Sequence, residues 1–125
     1  MANITVEEVR RLLITKSITH SNNMDLSGLG FSGLTLAVAN FSGRRLIKTK
    51  FVKTFLSKYN FQGANLTDAD FTTANLKEAD LSRATLENIT LSRVNLTKAN
   101  LTSATTSKTN FKNEKFIGTI GYKPS

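Results

Sequence analysis

A five-residue period runs through most of the chain. Every fifth residue from Leu26 to Phe116 is leucine or phenylalanine, with Thr106 as the single exception, and seven of the eight phenylalanines lie in this phase. A β-strand repeats every two residues and an α-helix every 3.6, so neither returns the same side chain to a core at this interval. We therefore predict a backbone that turns a corner after each short extended piece. The predicted core consists of Leu26, Phe31, Leu36, Phe41, Leu46, Phe51, Leu56, Phe61, Leu66, Phe71, Leu76, Leu81, Leu86, Leu91, Leu96, Leu101, Phe111 and Phe116.

The other positions of the repeat are also regular. The residue two before each core position is usually small, and in a locally extended chain it faces the same side as the core residue. The residue between them is commonly Asn or Asp, as at Asn65 and Asp70, and Ser, Thr or charged residues follow. These polar residues favour corners because their side chains bond to nearby backbone groups. The small positions include Ala64, Ala69, Ala74, Ala79, Ala84, Ala99 and Ala104.

Three segments show the full repeat: Ala64–Asp68, Ala69–Thr73 and Ala99–Ser103. They resemble the pentapeptide repeat family, whose repeat is Ala-(Asp/Asn)-Leu-x-x, and the resemblance covers Met24 to about Gly118. It implies an all-β solenoid, a right-handed quadrilateral β-helix of four to five coils with four repeats in each coil. Residues twenty apart would then stack about 4.8 Å from each other. Because the family is defined by its scaffold, the resemblance does not by itself assign a function.

The N-terminal residues predict a short capping α-helix over residues 5–14. Thr5 followed by Glu8 is a capping-box pattern, and a solenoid needs a cap because its open end exposes core and sheet edge. The chain is accordingly divided into a capping helix with a linker (residues 1–23), a pentapeptide-repeat β-helix (residues 24–118) and a C-terminal tail (residues 119–125).

The coil between Asn40 and Asn60 departs from the repeat. Its small positions hold Arg44, Thr49, Thr54 and Tyr59. Arg44 and Tyr59 are too large or too polar for a site that is otherwise alanine, so we expect this coil to be wider, bulged or looped out. Such a departure marks either a functional segment or a degenerate repeat, and we favour the degenerate repeat.

The charge of the chain is concentrated in the same coil. The formal net charge is +8 and the pI is near 10.1, which favours anionic partners. No acidic residue lies between Asp25 and Asp68. The basic residues of this stretch are Arg44, Arg45, Lys48, Lys50, Lys53 and Lys58.

Two interpretations of this basic run stay open. It can serve as a phosphate-binding stripe, with Phe55 and Tyr59 adding a stacking surface for bases. Alternatively, cross-strand ion pairs neutralise most of it, and we favour this reading. Arg44, Arg45 and Lys53 have no acidic partner in the stack and are the candidate anion contacts. The expected pairs are Lys48 with Asp68, Lys50 with Asp70, and Lys58 with Glu78.

The residue types that catalysis and metal binding need are scarce. The chain has no cysteine and one histidine, His20, and its carboxylates recur at repeat offsets, as is typical of solvated corners. We predict no catalytic, cofactor or metal site. The acidic start and the lack of a long apolar run predict neither a signal peptide nor a transmembrane helix. A cytoplasmic protein without membrane insertion is expected.

These observations favour a non-catalytic structural or interaction scaffold whose partner is another protein. The alternative is a basic module that binds nucleic acid or another polyanion. The family resemblance adds a third hypothesis, because some members are DNA mimics that bind a type II topoisomerase through a strongly acidic surface, usually as dimeric rods. The basic charge and short length of this chain argue against mimicry. Scattered carboxylates alone do not support an enzyme.

Overall fold

The computed structural model describes residues 5, 7, 27–31, 40–109, 111 and 118–121. Over these residues the backbone forms stacked coils that are held together by single-residue β-bridges rather than by long strands. Each described bridge is parallel and joins a residue to the residue twenty positions later, which confirms the predicted stacking. The bridges are Gly30–Lys50, Asn40–Asn60, Arg45–Asn65, Lys50–Asp70, Phe55–Asn75, Asn60–Asp80, Asn65–Thr85, Asp70–Thr90, Asn75–Asn95, Asp80–Asn100, Thr85–Thr105 and Asn100–Ile120.

The bridges define four faces, and each coil crosses every face once. Face A contains Arg45, Asn65, Thr85 and Thr105; face B contains Gly30, Lys50, Asp70 and Thr90; face C contains Phe55, Asn75 and Asn95; face D contains Asn40, Asn60, Asp80, Asn100 and Ile120. A bridge residue bonds through its own N–H and C=O to the coil before it, and the residues on either side of it bond to the coil after it. On face A, the Asn65 N–H donates to Arg44 O (2.9 Å) and Asn65 O accepts from the Leu46 N–H (2.8 Å).

The interior is filled by the leucine and phenylalanine side chains that recur every five residues. Leu26, Leu36 and Phe116 lie outside the described residues, and every other member of the predicted core is buried, with at most 7% of its surface exposed. The alanines two residues earlier line the same interior, and Ala64 and Ala69 are fully buried. Each buried Leu or Phe contributes about 1.5–3 kcal/mol relative to an exposed one, so four in each coil can stabilise a rod without disulfides.

Phenylalanines stack along two opposite faces of the early coils, as the period predicts. On face B, the ring of Phe51 stacks on those of Phe31 (5.3 Å between centroids) and Phe71 (5.2 Å). On face D, Phe41 stacks on Phe61 at 5.6 Å. Edge contacts join the two columns inside the coil, as between Phe51 and Phe61 at 5.8 Å. Offset stacks and edge contacts are the favoured aromatic geometries, so these columns stiffen the rod near residues 31–71.

The corners between faces share one turn geometry. A core residue accepts a hydrogen bond from the N–H three residues on, as from Ala64 to Phe61 O at 2.9 Å. The third residue of the turn has a positive φ at every described corner, as a type II turn requires. Glycine occupies that position at Gly28, Gly43, Gly63 and Gly118, whereas twelve described corners hold other residues with φ between 54° and 64°.

Asparagine and aspartate side chains hold these corners from outside. The Oδ1 atom of Asn65 accepts from the N–H of Thr67 (3.2 Å) and from its hydroxyl (2.7 Å). The same arrangement recurs at Asp70 with Thr72 (2.9 and 2.6 Å). These bonds to the residue two positions on confirm the predicted role of Asn, Asp, Ser and Thr at corners. They offset part of the cost of left-handed backbone, which is about 1–2 kcal/mol for a residue with a Cβ.

The coil of residues 41–60 is regular, so the expectation of a widened, bulged or looped-out coil was wrong. It pairs with the next coil on all four faces, and Arg44 and Tyr59 are each 1% exposed. Tyr59 fits because its ring packs beside the stacked rings of Phe41 (5.9 Å) and Phe61 (6.0 Å). The repeat is degenerate in composition but not in backbone.

The ends of the rod are described only in part. Of the predicted capping helix, Thr5 and Glu7 are described, and the rest of residues 5–14 lies outside the described residues. At the other end, Ile120 pairs with Asn100, and the Leu101 N–H donates to Ile120 O at 2.7 Å. The ladder of face D therefore reaches residue 120, and the domain boundaries stay a prediction.

Replacing Leu76 by Lys should unfold the protein. Leu76 is 1% exposed in the middle of the rod, and an unpaired ammonium there loses both apolar burial and hydration. The matched control is Ser92→Lys, since Ser92 is exposed at an outer position. Thermal unfolding followed by circular dichroism checks this. A Leu76→Lys melting temperature within a few degrees of wild type would contradict the core assignment.

Replacing Gly63 by Val should destabilise the protein by about 1–2 kcal/mol. Gly63 has φ of 69°, and a Cβ there would meet no atom within 4 Å. The cost is therefore conformational rather than steric. Gln62→Val, at the preceding turn residue, is the control and should change stability little. Urea unfolding curves of the two variants measure the difference, and equal stabilities would argue against the left-handed corner.

Candidate interaction surface on the coil of residues 41–60

The coil of residues 41–60 carries most of the net charge of the chain. It holds six basic residues and no acidic one, whereas the whole chain has a net charge of +8. Five of the six are exposed and lie on faces A and B and on the corners that lead to faces B, C and D. We call these five the basic girdle: Arg45, Lys48, Lys50, Lys53 and Lys58.

One of the expected ion pairs forms. Lys58 Nζ lies 3.8 Å from Glu78 Oε2, and the two side chains are 68% and 35% exposed. An exposed pair of this kind is worth about 0–1 kcal/mol. It leaves the positive potential of the girdle largely in place.

The two other expected pairs do not form within 4 Å among the described residues. The carboxylate of Asp68 instead accepts from the Asn88 side-chain amide at 2.7 Å. That of Asp70 accepts from the backbone and hydroxyl of Thr72. The expectation that Lys48 and Lys50 are neutralised by Asp68 and Asp70 was therefore wrong. Each aspartate bonds to a nearby polar group instead.

An aromatic side chain is exposed within the girdle. Phe55 is 58% exposed on face C, where the next two coils have Asn75 and Asn95. Lys53 and Lys58 occupy the corners on either side of it. A solvent-exposed phenylalanine on a polar ladder does not stabilise the fold through apolar burial. Aromatic residues are enriched at protein interfaces. Phe55 and its flanking lysines therefore form the most distinctive surface feature of the described chain.

The candidate anion contacts do not share one surface. Arg44 lies inside the coil, Arg45 lies on face A and makes a further interaction, and Lys53 lies on the corner between faces B and C. Tyr59 is buried and cannot stack on a base together with Phe55. Sequence periodicity placed Arg44 and Tyr59 at inward positions, but their size and polarity argued against burial.

The buried polar groups of this coil are incompletely bonded. Arg44 Nε and Nη1 and Tyr59 Oη are buried without a hydrogen-bond partner. Burial lowers the pKa of the Arg44 guanidinium and raises the pKa of the Tyr59 phenol, because each charged form loses hydration.

Other candidate groups do not assemble into a site. His20 lies outside the described residues. The carboxylates of Asp68, Asp70, Glu78 and Asp80 are spread over separate faces and corners. Within the described part of the chain, no group of three or more His, Cys, Asp or Glu side chains could hold a metal ion.

A profile described as a pentapeptide repeat region matches residues 19–101. The chain belongs to the pentapeptide repeat family. The fold of this family, a right-handed quadrilateral β-helix, agrees with the four-faced coils and their twenty-residue offset. The comparison with curated proteins found no match.

Solved pentapeptide repeat proteins are similar to this chain. One from the thylakoid lumen of Arabidopsis thaliana is 39% identical over 76% of this chain and 59% of its own, with a TM-score of 0.48. HetL, involved in heterocyst differentiation regulation in Nostoc sp. strain PCC 7120, is 27% identical over 82% and 47%, with a TM-score of 0.45. QnrB1, a plasmid-mediated fluoroquinolone resistance protein, is 21% identical over 77% and 56%, with a TM-score of 0.48.

This pentapeptide repeat chain spans about half to three-fifths of the length of these structures. Among the described residues, no helix has the length and apolar character to cross a membrane. One relative comes from the thylakoid lumen, so a cytoplasmic location stays a prediction.

Tyr59 should make the stability of the rod sensitive to alkaline pH. Its phenol keeps its proton in the folded state above the ordinary pKa of 10.0, so the folded state binds more protons there than the unfolded chain does. This contribution is fully present below pH ~10 and is lost as the pH rises further. Thermal melts from pH 8 to 11 should show a steeper fall for wild type than for Tyr59→Phe. Tyr122→Phe is the control, and parallel profiles for wild type and Tyr59→Phe would contradict the prediction.

Proposed function

We propose that the protein is a non-catalytic interaction scaffold that binds an acidic surface of another protein through Phe55 and the basic girdle. The observation that carries this proposal is the 58% exposure of Phe55 between Lys53 and Lys58. A rod filled by its own repeats offers ladders and corners for recognition rather than an enclosed pocket. No catalytic group, cofactor or metal takes part in the proposed role.

The chemistry of this surface suits an acidic protein partner. Covering Phe55 would gain about 1.5–3 kcal/mol from apolar burial, which is the size of an interface hot spot. The girdle would raise the association rate with an acidic partner and would disfavour basic ones. Rigid backbone ladders hold both features in place, so little conformational entropy is lost on binding.

A second candidate function is binding of single-stranded nucleic acid. Phe55 gives bases a stacking platform, and the lysines give phosphates a counter-charge. The girdle runs across three faces around the rod, so a strand that used all of it would have to bend around the corners. A protein partner needs only face C and its two corners. This surface does not support mimicry of DNA. The girdle is positively charged, as in a DNA-binding protein, whereas DNA is negatively charged.

Fluorescence anisotropy with three labelled probes tests the proposal. The probes are a glutamate-rich peptide with two leucines, an oligo(dT) strand and a DNA duplex, titrated from low to physiological salt. We expect the peptide to bind, with Phe55→Asn weakening it about tenfold, since 1.4 kcal/mol is a factor of ten. Asparagine is the residue of the next two coils on this ladder, so the fold should be retained.

A matched pair of variants tests the role of charge. Lys53→Ala with Lys58→Ala should reduce binding, while Lys98→Ala should not. Lys98 occupies the same kind of exposed corner, with φ of 60°, but lies two coils away from Lys58. Tighter binding of oligo(dT) that is also lost in Phe55→Asn would favour the nucleic-acid function. Absence of binding by every probe at low salt, or equal losses in Lys98→Ala, would overturn the proposal.

A further inference from the structure

Face B differs from the other faces in the signs of its charges. Its described ladder contains, in order along the rod, Gly30, Lys50, Asp70 and Thr90. The described ladders of faces A, C and D contain charged residues of one sign at most. The side chain of Lys50 is exposed and that of Asp70 is partly exposed. Face B therefore has a positive charge directly beside a negative charge, one coil apart.

The corner between faces A and B has the same order of residues. The corner residues with positive φ that stack there, twenty positions apart, are Gly28, Lys48, Asp68 and Asn88, and all four are exposed. Backbone bonds hold them in a column, as where the Lys48 N–H donates to the Thr67 O of the next coil at 2.9 Å. Two adjacent columns thus share one sequence of side chains: glycine, lysine, aspartate and an uncharged polar residue.

The charges of these two columns are available to a partner. Within the described part of the chain, neither Lys48 nor Lys50 has an ion pair, since the pair found there joins Lys58 to Glu78. Asp68 and Asp70 each accept hydrogen bonds through one carboxylate oxygen, Oδ1. The second oxygen of each aspartate can still accept from a cation outside the chain. Face B and its corner therefore present two lysines and two aspartates to whatever contacts them.

This order of charges is complementary to itself when one copy is turned over. Consider a two-fold axis that lies between the coils of residues 41–60 and 61–80, along the direction in which the backbone crosses face B. It places each residue opposite the residue twenty positions away in the second copy. Lys50 then faces Asp70 of the second copy, and Lys48 faces Asp68. In such a two-fold contact each pair occurs twice, and the glycines face the polar residues at the ends of the columns.

We propose that face B and the corner between faces A and B bind a second copy of this chain, side by side and antiparallel. The contact is mainly polar and involves few coils, so it belongs to the small, weak class of interfaces, below about 1,200 Å². Because the axis runs along the backbone of face B, face C of both copies points to the same side of the dimer. The surface around Phe55 stays open, and self-association does not depend on its proposed function.

Sedimentation equilibrium at about 0.15 M salt tests the self-association. The Debye length is then about 8 Å, so repulsion between two chains of net charge +8 is screened across the other faces, whereas ion pairs in direct contact are screened much less. We expect the wild type to associate reversibly under these conditions. The association should be lost at about 1 M salt, where the Debye length is about 3 Å. A wild type that stays monomeric up to millimolar concentration would overturn the proposal.

Charge reversal on the corner tests the arrangement of the two copies. Lys48→Asp and Asp68→Lys should each weaken self-association by about tenfold or more, because like charges then face each other twice. The two corners have nearly equal φ, 60° and 62°, so exchanging their residues should preserve the fold. An equimolar mixture of the two variants should form a heterodimer, and the variant with both changes should associate like the wild type. Opposite charges face each other again in both cases.

Lys58→Asp is the matched control. It makes the same change of charge at the same kind of corner, with φ of 64°, but lies between faces C and D, away from the contact. It should associate like the wild type, and so should Phe55→Asn, which separates this contact from the surface proposed to bind an acidic partner. Circular dichroism melts verify that each variant is folded. Equal losses in Lys48→Asp and Lys58→Asp, or failure of both the mixture and the double variant to restore association, would refute the antiparallel contact.

Discussion

Burial of one leucine or phenylalanine in every five residues is the constraint on which the rest of this structure depends. The inward side chain can return at that interval only if the backbone turns between repeats, and each turn requires a residue with positive φ. Side chains such as Asn65 and Asp70 hold the turns from outside. The resulting coils stack in register because the N–H and C=O groups of a bridge residue pair with the coil before it, and those of the residues on either side of it pair with the coil after it.

This constraint separates the scaffold from any function. The interior is occupied by the repeats, and most exterior positions are polar groups that hold corners. Binding groups must therefore be side chains that the repeat does not need. Phe55 and the lysines beside it are of this kind, since the coils above have asparagine or other polar residues at the same positions. The coil of residues 41–60 therefore combines a regular backbone with an atypical surface and an atypical interior.

The candidate surface was only partly predictable from sequence. The basic run and Phe55 are visible in the sequence, but their exposure depends on the coil remaining regular despite Arg44 and Tyr59. Tyr59 is accommodated beside Phe61, two residues on, and beside Phe41, which is remote in sequence. The contact with Phe41 is not contained in any local pattern. Two of the three predicted ion pairs, Lys48 with Asp68 and Lys50 with Asp70, failed for a related reason. Stacking brings Lys50 over Asp70, but the aspartate bonds more favourably to its own turn.

The sequence by itself determined the five-residue period, the identity of the core and the polar corners, because each follows from local alternation of apolar and turn-forming residues. Membership of the family and its four-sided coil follow from the same repeat. Only the tertiary structure decided that Arg44 is buried while its neighbour Arg45 is exposed, and which carboxylates meet which cations. Those outcomes depend on packing and on competition for hydrogen bonds between residues of stacked coils. The free energy of each side chain depends there on neighbours from other coils, which its own segment does not specify.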